Sequence, residues 1–250
     1  IMIKSEKRDS LKVLIIIPAY NEGDNIVGVI HEIHEDFPNF HILVINDGSI
    51  DNTSELARST GLARVIDLPV NMGIGAAVQT GFKYAHKNGY DITLQFDGDG
   101  QHMVKEISKI VDPVIQGDVD MMIGSRFVQN LESYKSQPVR RLGIKIFNFI
   151  SYLLIRQRIK DQTSGFRAFN KELIGFLAKY YPVDYPEPEV IILLGKNGFK
   201  IGEVFTQMRE RQGGASSIPL SRGPFYMTKV LLAMFMAALR EKRIKPKSDV

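Results

Sequence analysis

Five short β-rich runs alternate with amphipathic helical patterns along the first half of the chain. This alternation restricts the fold more than any other feature. The runs cover residues 13–17 (VLIII, ending at Pro18), 42–45, 64–68, 92–96 and 121–124. Between them, residues 25–37 carry Ile26, Val29, Ile30, Ile33 and Phe37 at helical spacing. Residues 51–59, with Asp51 as N-cap, 75–87 and 104–116 read as further helices. Uninterrupted apolar strands separated by helices predict an α/β fold, with a mostly parallel sheet flanked by helices on both faces.

The second half is less regular. Residues 140–154 predict a basic amphipathic helix, 164–170 a turn into a short strand, and 189–196 a helix ended by Gly198. Residues 200–208 predict a strand, followed by the Gly/Ser loop 213–217. A chain of 250 residues buries roughly three quarters of its unfolded surface, so it needs no covalent staple. With no cysteine, it has no disulfide framework, no Cys-ligated zinc, no iron–sulfur cluster and no thiol chemistry.

The net charge of +4 conceals two unlike halves. Residues 1–132 hold 11 Lys+Arg against 19 Asp+Glu, and residues 133–250 hold 21 against 9. The segment 133–160 has seven basic residues and no acidic one, interleaved with aromatic and aliphatic side chains. Such a segment suits a lipid phosphate at a membrane surface. Nucleic acid fits poorly, because the acidic half repels it. The N-terminus shows no signal-peptide pattern, and the longest apolar run, 230–239, is about half of the roughly 20 residues a spanning helix needs. Arg240, Lys242, Arg243, Lys245 and Lys247 follow that run. It either lies at an anionic membrane interface or docks on its own domain.

Polar motifs fall at the carboxyl ends of the predicted strands, the ligand edge of open α/β sheets. Asp97-Gly98-Asp99 is the sharpest. Two carboxylates just past an apolar strand cannot both enter a core unpaired. Hard divalent cations such as Mg or Mn take one or two carboxylates and complete their shell with phosphate oxygens and water. Gln101 adds an amide oxygen. His102 adjoins this loop and either approaches substrate or lies on the surface at a helix start. Gly73-Ile74-Gly75 lacks the third glycine of a dinucleotide fingerprint. Gly75, Ala76, Ala77 and Gly81 suit close helix–sheet packing instead. Arg126, Arg140, Arg141, Arg167, Arg209 and Arg211 form the basic complement, since arginine forks match phosphate oxygens.

The segments Pro18-Ala19-Tyr20-Asn21-Glu22, Asn46-Asp47-Gly48-Ser49, Asn71-x-Gly73 and Asp97-x-Asp99-x-Gln101 stand in order along the chain. Together they resemble glycosyltransferase family 2, the inverting GT-A class. Gly124-Ser125-Arg126-Phe127 and Asp161-x-Thr163-Ser164-Gly165-Phe166-Arg167 are similar to the polyprenyl-phosphate (dolichyl-phosphate) hexosyltransferases. The resemblance implies a Rossmann-like GT-A catalytic domain over 1–217 and an amphipathic, basic helical extension over 218–250. It implies that Pro18, Tyr20, Glu22 and Asp47 hold the nucleoside, and that Asp97, Asp99 and Gln101 bind Mg or Mn with the donor diphosphate. Arg126, Arg140 or Arg141, and Arg211 are implied to contact phosphates. Glu189 lies where hydroxyl-acceptor enzymes place a base, with Glu187 as its rival.

The expected activity is therefore metal-dependent, inverting sugar transfer. The donor is a UDP-, GDP- or dTDP-linked sugar, and the acceptor a lipid phosphate or a lipid-linked or cell-envelope glycan. The expected location is cytoplasmic, at the inner face of the membrane. A nucleotidyltransferase that makes the sugar nucleotide would carry a Gly-rich loop with Lys or Arg after the first strand, where this chain has Pro18–Glu22. A non-catalytic nucleotide-sugar-binding scaffold would have no need of intact Asp97, Asp99 and Arg211.

Overall fold

The structure is a computed structural model that describes residues 11–127, 148, 151–182, 186–209, 229, 232, 235, 236 and 239. Arg140, Arg141, Arg211 and the proposed boundary at residue 217 lie outside the described residues, as do the 213–217 loop and most of the 140–154 and 230–239 segments.

Seven strands form one sheet in the order β3-β2-β1-β4-β6-β5-β7. They are β1 (Val13–Ala19), β2 (His41–Asn46), β3 (Ala63–Asp67), β4 (Ile92–Gln95), β5 (Met121–Ser125), β6 (Arg167–Asn170) and β7 (Ile201–Phe205). β1 pairs in parallel with β2 and β4, β2 with β3, and β5 with β7. Only β6 is reversed, antiparallel to both β4 and β5. The expected mostly parallel α/β sheet is therefore present.

The helices are α1 (Ile26–Asp36), α2 (Thr53–Ser59), α3 (Ile74–Lys87), α4 (Ile107–Gln116), α5 (Lys171–Tyr180) and α6 (Pro186–Lys196). Side chains alternate across a strand, so each β1 residue commits to one face. Leu14 and Ile16 join the core beneath α3, α5 and α6, while Val13, Ile15 and Ile17 join the core beneath α1, α2 and α4. Both faces are dry, which explains why the strands read as continuous apolar runs. Gly81 of α3 permits the close helix–sheet approach expected of it: a Cβ there would lie 2.5 Å from Ile16 Cγ2.

One element differs from the sequence reading. Helix α5 follows β6 directly, where no helix was predicted. The signal was present: Asn170 accepts from the Leu173 N–H at 2.9 Å as N-cap, and Leu173, Ile174, Phe176 and Leu177 form the buried stripe. Gly175 in mid-stripe obscured it, because glycine weakens a helical pattern. No helix among the described residues is long and apolar enough to cross a membrane.

Candidate active site at the carboxyl edge of the sheet

Three loops leave the carboxyl ends of β1, β2 and β3 and are stitched together. The Asn21 N–H donates to Ser49 Oγ at 3.0 Å, and Asn21 Oδ1 accepts from the Ile50 N–H at 2.9 Å. Asn21 holds a left-handed φ of 55°, a conformation asparagine tolerates better than most residues. Both Asp47 oxygens are engaged, accepting from the Met72 and Gly73 N–H groups at 2.8 Å each. Gly48 has φ 66°, and a Cβ there would lie 2.5 Å from the Asn71 nitrogen, so only glycine lets these loops meet. Asp47 thus pins the 70–73 loop against the loop that follows β2. Tyr20 stands half exposed just past the end of β1, two residues after Pro18. Glu22 lies against the acidic loop: its Cγ is 3.6 Å from where a Gly98 Cβ would be, and its Oε2 accepts from Asn25 Nδ2.

The acidic loop follows β4. Gly100, with φ 72°, turns the chain, and Asp99 Oδ1 accepts from the Gln101 N–H at 3.0 Å. Asp97 is held on two sides. His102 Nε2 lies 2.8 Å from its Oδ2, and the Gly165 backbone presses on its oxygens so closely that a Cβ would sit 2.6 Å from Oδ1. Partial burial opposes ionisation of Asp97, but the His102 imidazole and the Arg126 and Arg167 guanidiniums outweigh it. The carboxyl therefore sits below its ordinary range.

Among the described residues no three His, Asp or Glu side chains form a ready-made metal cage. The donor set of Asp97, Asp99 and Gln101 is all oxygen. It leaves most of a hard cation's shell to phosphate and water, which suits a cation that arrives with a diphosphate. The absence of a side chain at residue 165 leaves the room that the Asp97 carboxylate occupies.

The basic residues divide by environment. Arg126, just past β5, is forked on the buried Asp161: its Nε donates to Oδ2 and one Nη to Oδ1, both at 2.8 Å, and Thr163 Oγ1 accepts from the same Nη. The guanidinium is thus fixed just past the carboxyl end of β5 and stays partly exposed. Burial would raise the Asp161 carboxyl, but Arg126 and two N–H donors hold it below its usual range. Arg167, grouped by sequence with the phosphate-binding arginines, is fully buried. It donates to the carbonyls of Ser164, Gln162 and Glu187 at 2.7–3.0 Å, and so ties the 162–166 turn to the start of α6. Arg209 forks on Glu32 of α1, and its N–H donates to the Gln101 carbonyl at 2.8 Å. Arg211 lies outside the described residues, two positions further along the chain.

Of the two candidate bases in the first turn of α6, Glu189 is buried in the helix packing. The charges of Asp97 and Arg167 act on the Glu187 carboxyl. Burial pushes it up, and the Arg167 guanidinium only partly opposes this. His102 is neither a surface residue nor exposed to substrate. It is buried, and sequence offered no sign that the chain folds back over it.

Residues 14–176 match the family model for glycosyl transferase family 2. Polyprenol monophosphomannose synthase of Mycolicibacterium smegmatis is 33% identical over 225 residues, covering 84% of this chain and 82% of that protein. The UDP-N-acetylglucosamine–dolichyl-phosphate N-acetylglucosaminyltransferase of Methanococcus voltae is 32% identical over 212 residues, 77% and 83% of the two chains. The crystal structure of glucosyl-3-phosphoglycerate synthase from Mycobacterium tuberculosis with Mn2+ and UDP-glucose superposes with a TM-score of 0.71 at 19% identity, covering 97% of this chain and 84% of that one. That likeness establishes a shared fold. The order of the loops, the acidic turn after β4 and the match to the family model agree: this chain is a glycosyltransferase and belongs to glycosyl transferase family 2.

Proposed function

We propose that the protein transfers a hexose, with inversion, from a nucleoside diphosphate sugar to a polyprenyl phosphate at a membrane surface. The acceptor reading is carried by the two relatives above, whose names state polyprenol and dolichyl-phosphate chemistry over 77–84% of this chain. The donor reading is supported by the acidic loop, which lies against Glu22 at the same sheet edge as Tyr20 and the Asp47-pinned loop.

In this reading Pro18, Tyr20, Glu22 and Asp47 hold the nucleoside, and Asp47 also pins the 70–73 loop. Asp97, Asp99 and Gln101 hold a Mg or Mn ion, which when bound supplies Lewis-acid stabilisation of the departing diphosphate. An acceptor phosphate oxygen attacks the sugar anomeric carbon as the bond to the diphosphate breaks, and the nucleoside diphosphate leaves with the electron pair. The attacking oxygen is already anionic, so no general base is required. Arg126, with Arg140, Arg141 and Arg211, orients phosphate groups.

Residues 1–217 form the catalytic domain and 218–250 the membrane-facing extension, at the cytoplasmic face. The exposed side chains of Leu232, Phe235, Met236 and Leu239 support this extension, because they recur at i, i+3, i+4 and i+7 ahead of the basic tail.

A thermal-shift series with UDP-, GDP- and dTDP-sugars, each with and without Mn2+, tests the donor reading. The true donor raises Tm in a Mn2+-dependent way, by mass action. If no nucleoside diphosphate sugar moves Tm, the donor site is misassigned.

A further inference from the structure

We propose that His102 is a positioning residue for the donor site: its imidazole sets the orientation in which Asp97 meets the cation and diphosphate. The inference rests on the metal-site reading above and adds a residue that the reading does not use.

Every freedom of this ring is restricted. Its side chain is only 2% exposed. One face stacks on Phe166, with centroids 4.6 Å apart and planes at 23°. Its edge meets Phe96 at 5.4 Å. Its backbone pairs with Met208 in an isolated antiparallel bridge, and the adjoining Gln101 carbonyl accepts from Arg209. The ring's one hydrogen bond is Nε2 to Asp97 Oδ2, while Nδ1 is buried without a partner. Burying a heteroaromatic ring with half its polar capacity unused is costly, and phenylalanine would fill the same aromatic slot without that cost. What histidine adds is one directed N–H aimed at the carboxylate.

Asp97 therefore sits in the space that Gly165 leaves free and is held there by the His102 N–H on Oδ2. This bond restricts rotation of the carboxylate before the ligand arrives. Groups that orient ligating side chains in this way typically change metal affinity about 10- to 100-fold when removed.

The test uses the whole chain without turnover. Mn2+ binding in the presence of UDP or GDP is measured by titration calorimetry, and metal-free Tm is measured alongside. His102→Phe keeps the stacked ring and deletes the donor. His102→Gln places an amide N–H near the Nε2 position. His102→Phe is expected to weaken Mn2+–nucleotide binding by about 10-fold or more, and His102→Gln to recover most of the loss.

Unchanged binding in His102→Phe overturns the proposal. So does an equal loss in both variants that tracks a fall in metal-free Tm, because the ring is then only structural. If the wild-type protein binds no Mn2+ with either nucleotide, the metal-site reading itself fails, which is a distinct result.

Discussion

Replacing Gly165 by alanine places a methyl group on the Asp97 carboxylate, and the structure gives the size of the collision. The new Cβ would lie 2.6 Å from Oδ1, 2.9 Å from Oδ2 and 3.1 Å from Cγ, where an ordinary contact begins at 3.4 Å. The carboxylate or the backbone must therefore yield by ~0.8 Å, the gap between ordinary contact and collision. Neither yields freely. His102 holds the carboxylate at 2.8 Å, and the Phe166 carbonyl, next along the chain, accepts from the Gly124 N–H at 2.8 Å. Overpacking of this kind costs about 1–3 kcal/mol in stability. A displacement near 1 Å at a reacting site costs on the order of 10²-fold in rate. Gly165→Ala is expected to stay folded with a lowered Tm, to bind Mn2+ weakly, and to lose about two orders of magnitude in kcat. Gly28→Ala is the control. Nothing lies within 4 Å of its Cβ position on α1, and alanine there gains about 1 kcal/mol of helix stability. Wild-type kcat and metal activation in Gly165→Ala would refute the placement of Asp97 in the donor site.

Two further outcomes follow from the packing and the charges. Asp161→Asn leaves Arg126 without its carboxylate and is expected to cost about 2–3 kcal/mol near neutral pH, less than a fully buried pair because Arg126 is partly exposed. The Asp161 carboxyl lies below its unfolded value of 3.8, so its stabilisation is complete above that pH and is lost as pH falls through the folded value. The Tm gap between wild type and Asp161→Asn should narrow from pH 5 to pH 3, and a constant gap contradicts the pairing. Gly81→Ala drives a methyl group into Ile16 at the fully buried centre of β1 and is expected to destabilise by about 1–3 kcal/mol in urea unfolding. An unchanged midpoint would mean that α3 packs further from the sheet than described.

The strands and most helices were legible because β1, β2, β4 and β5 are buried on both faces and are built mostly of apolar residues. Pro18–Glu22, Asn46–Ser49 and Asp97–Gln101 read as candidate site residues for a related reason. Each interrupts an apolar run at its carboxyl end, where polar groups need a partner other than the core. What sequence does not display is return contacts. Arg167 reads as one more cation until β6 is seen to run antiparallel between β4 and β5, which turns its guanidinium toward three carbonyls. The bonds from Asp47 to the Met72 and Gly73 N–H groups have no sequence signal. His102 reads as a substrate-side or surface residue until the segment after β7 crosses it at Met208. In each case the deciding partner is distant in sequence and leaves no local pattern.

Sugar transfer to a lipid phosphate through the site at the carboxyl edge is tested by incubating the full chain with Mn2+, farnesyl phosphate and the radiolabelled nucleoside diphosphate sugar selected by thermal shift, in wild-type and Glu189→Gln forms. The expected result is an organic-extractable glycosyl phosphoryl farnesol, one nucleoside diphosphate released per transfer, loss of product on chelation, and activity largely kept in Glu189→Gln, since an anionic acceptor needs no base. Transfer confined to a sugar hydroxyl and abolished in Glu189→Gln would contradict it.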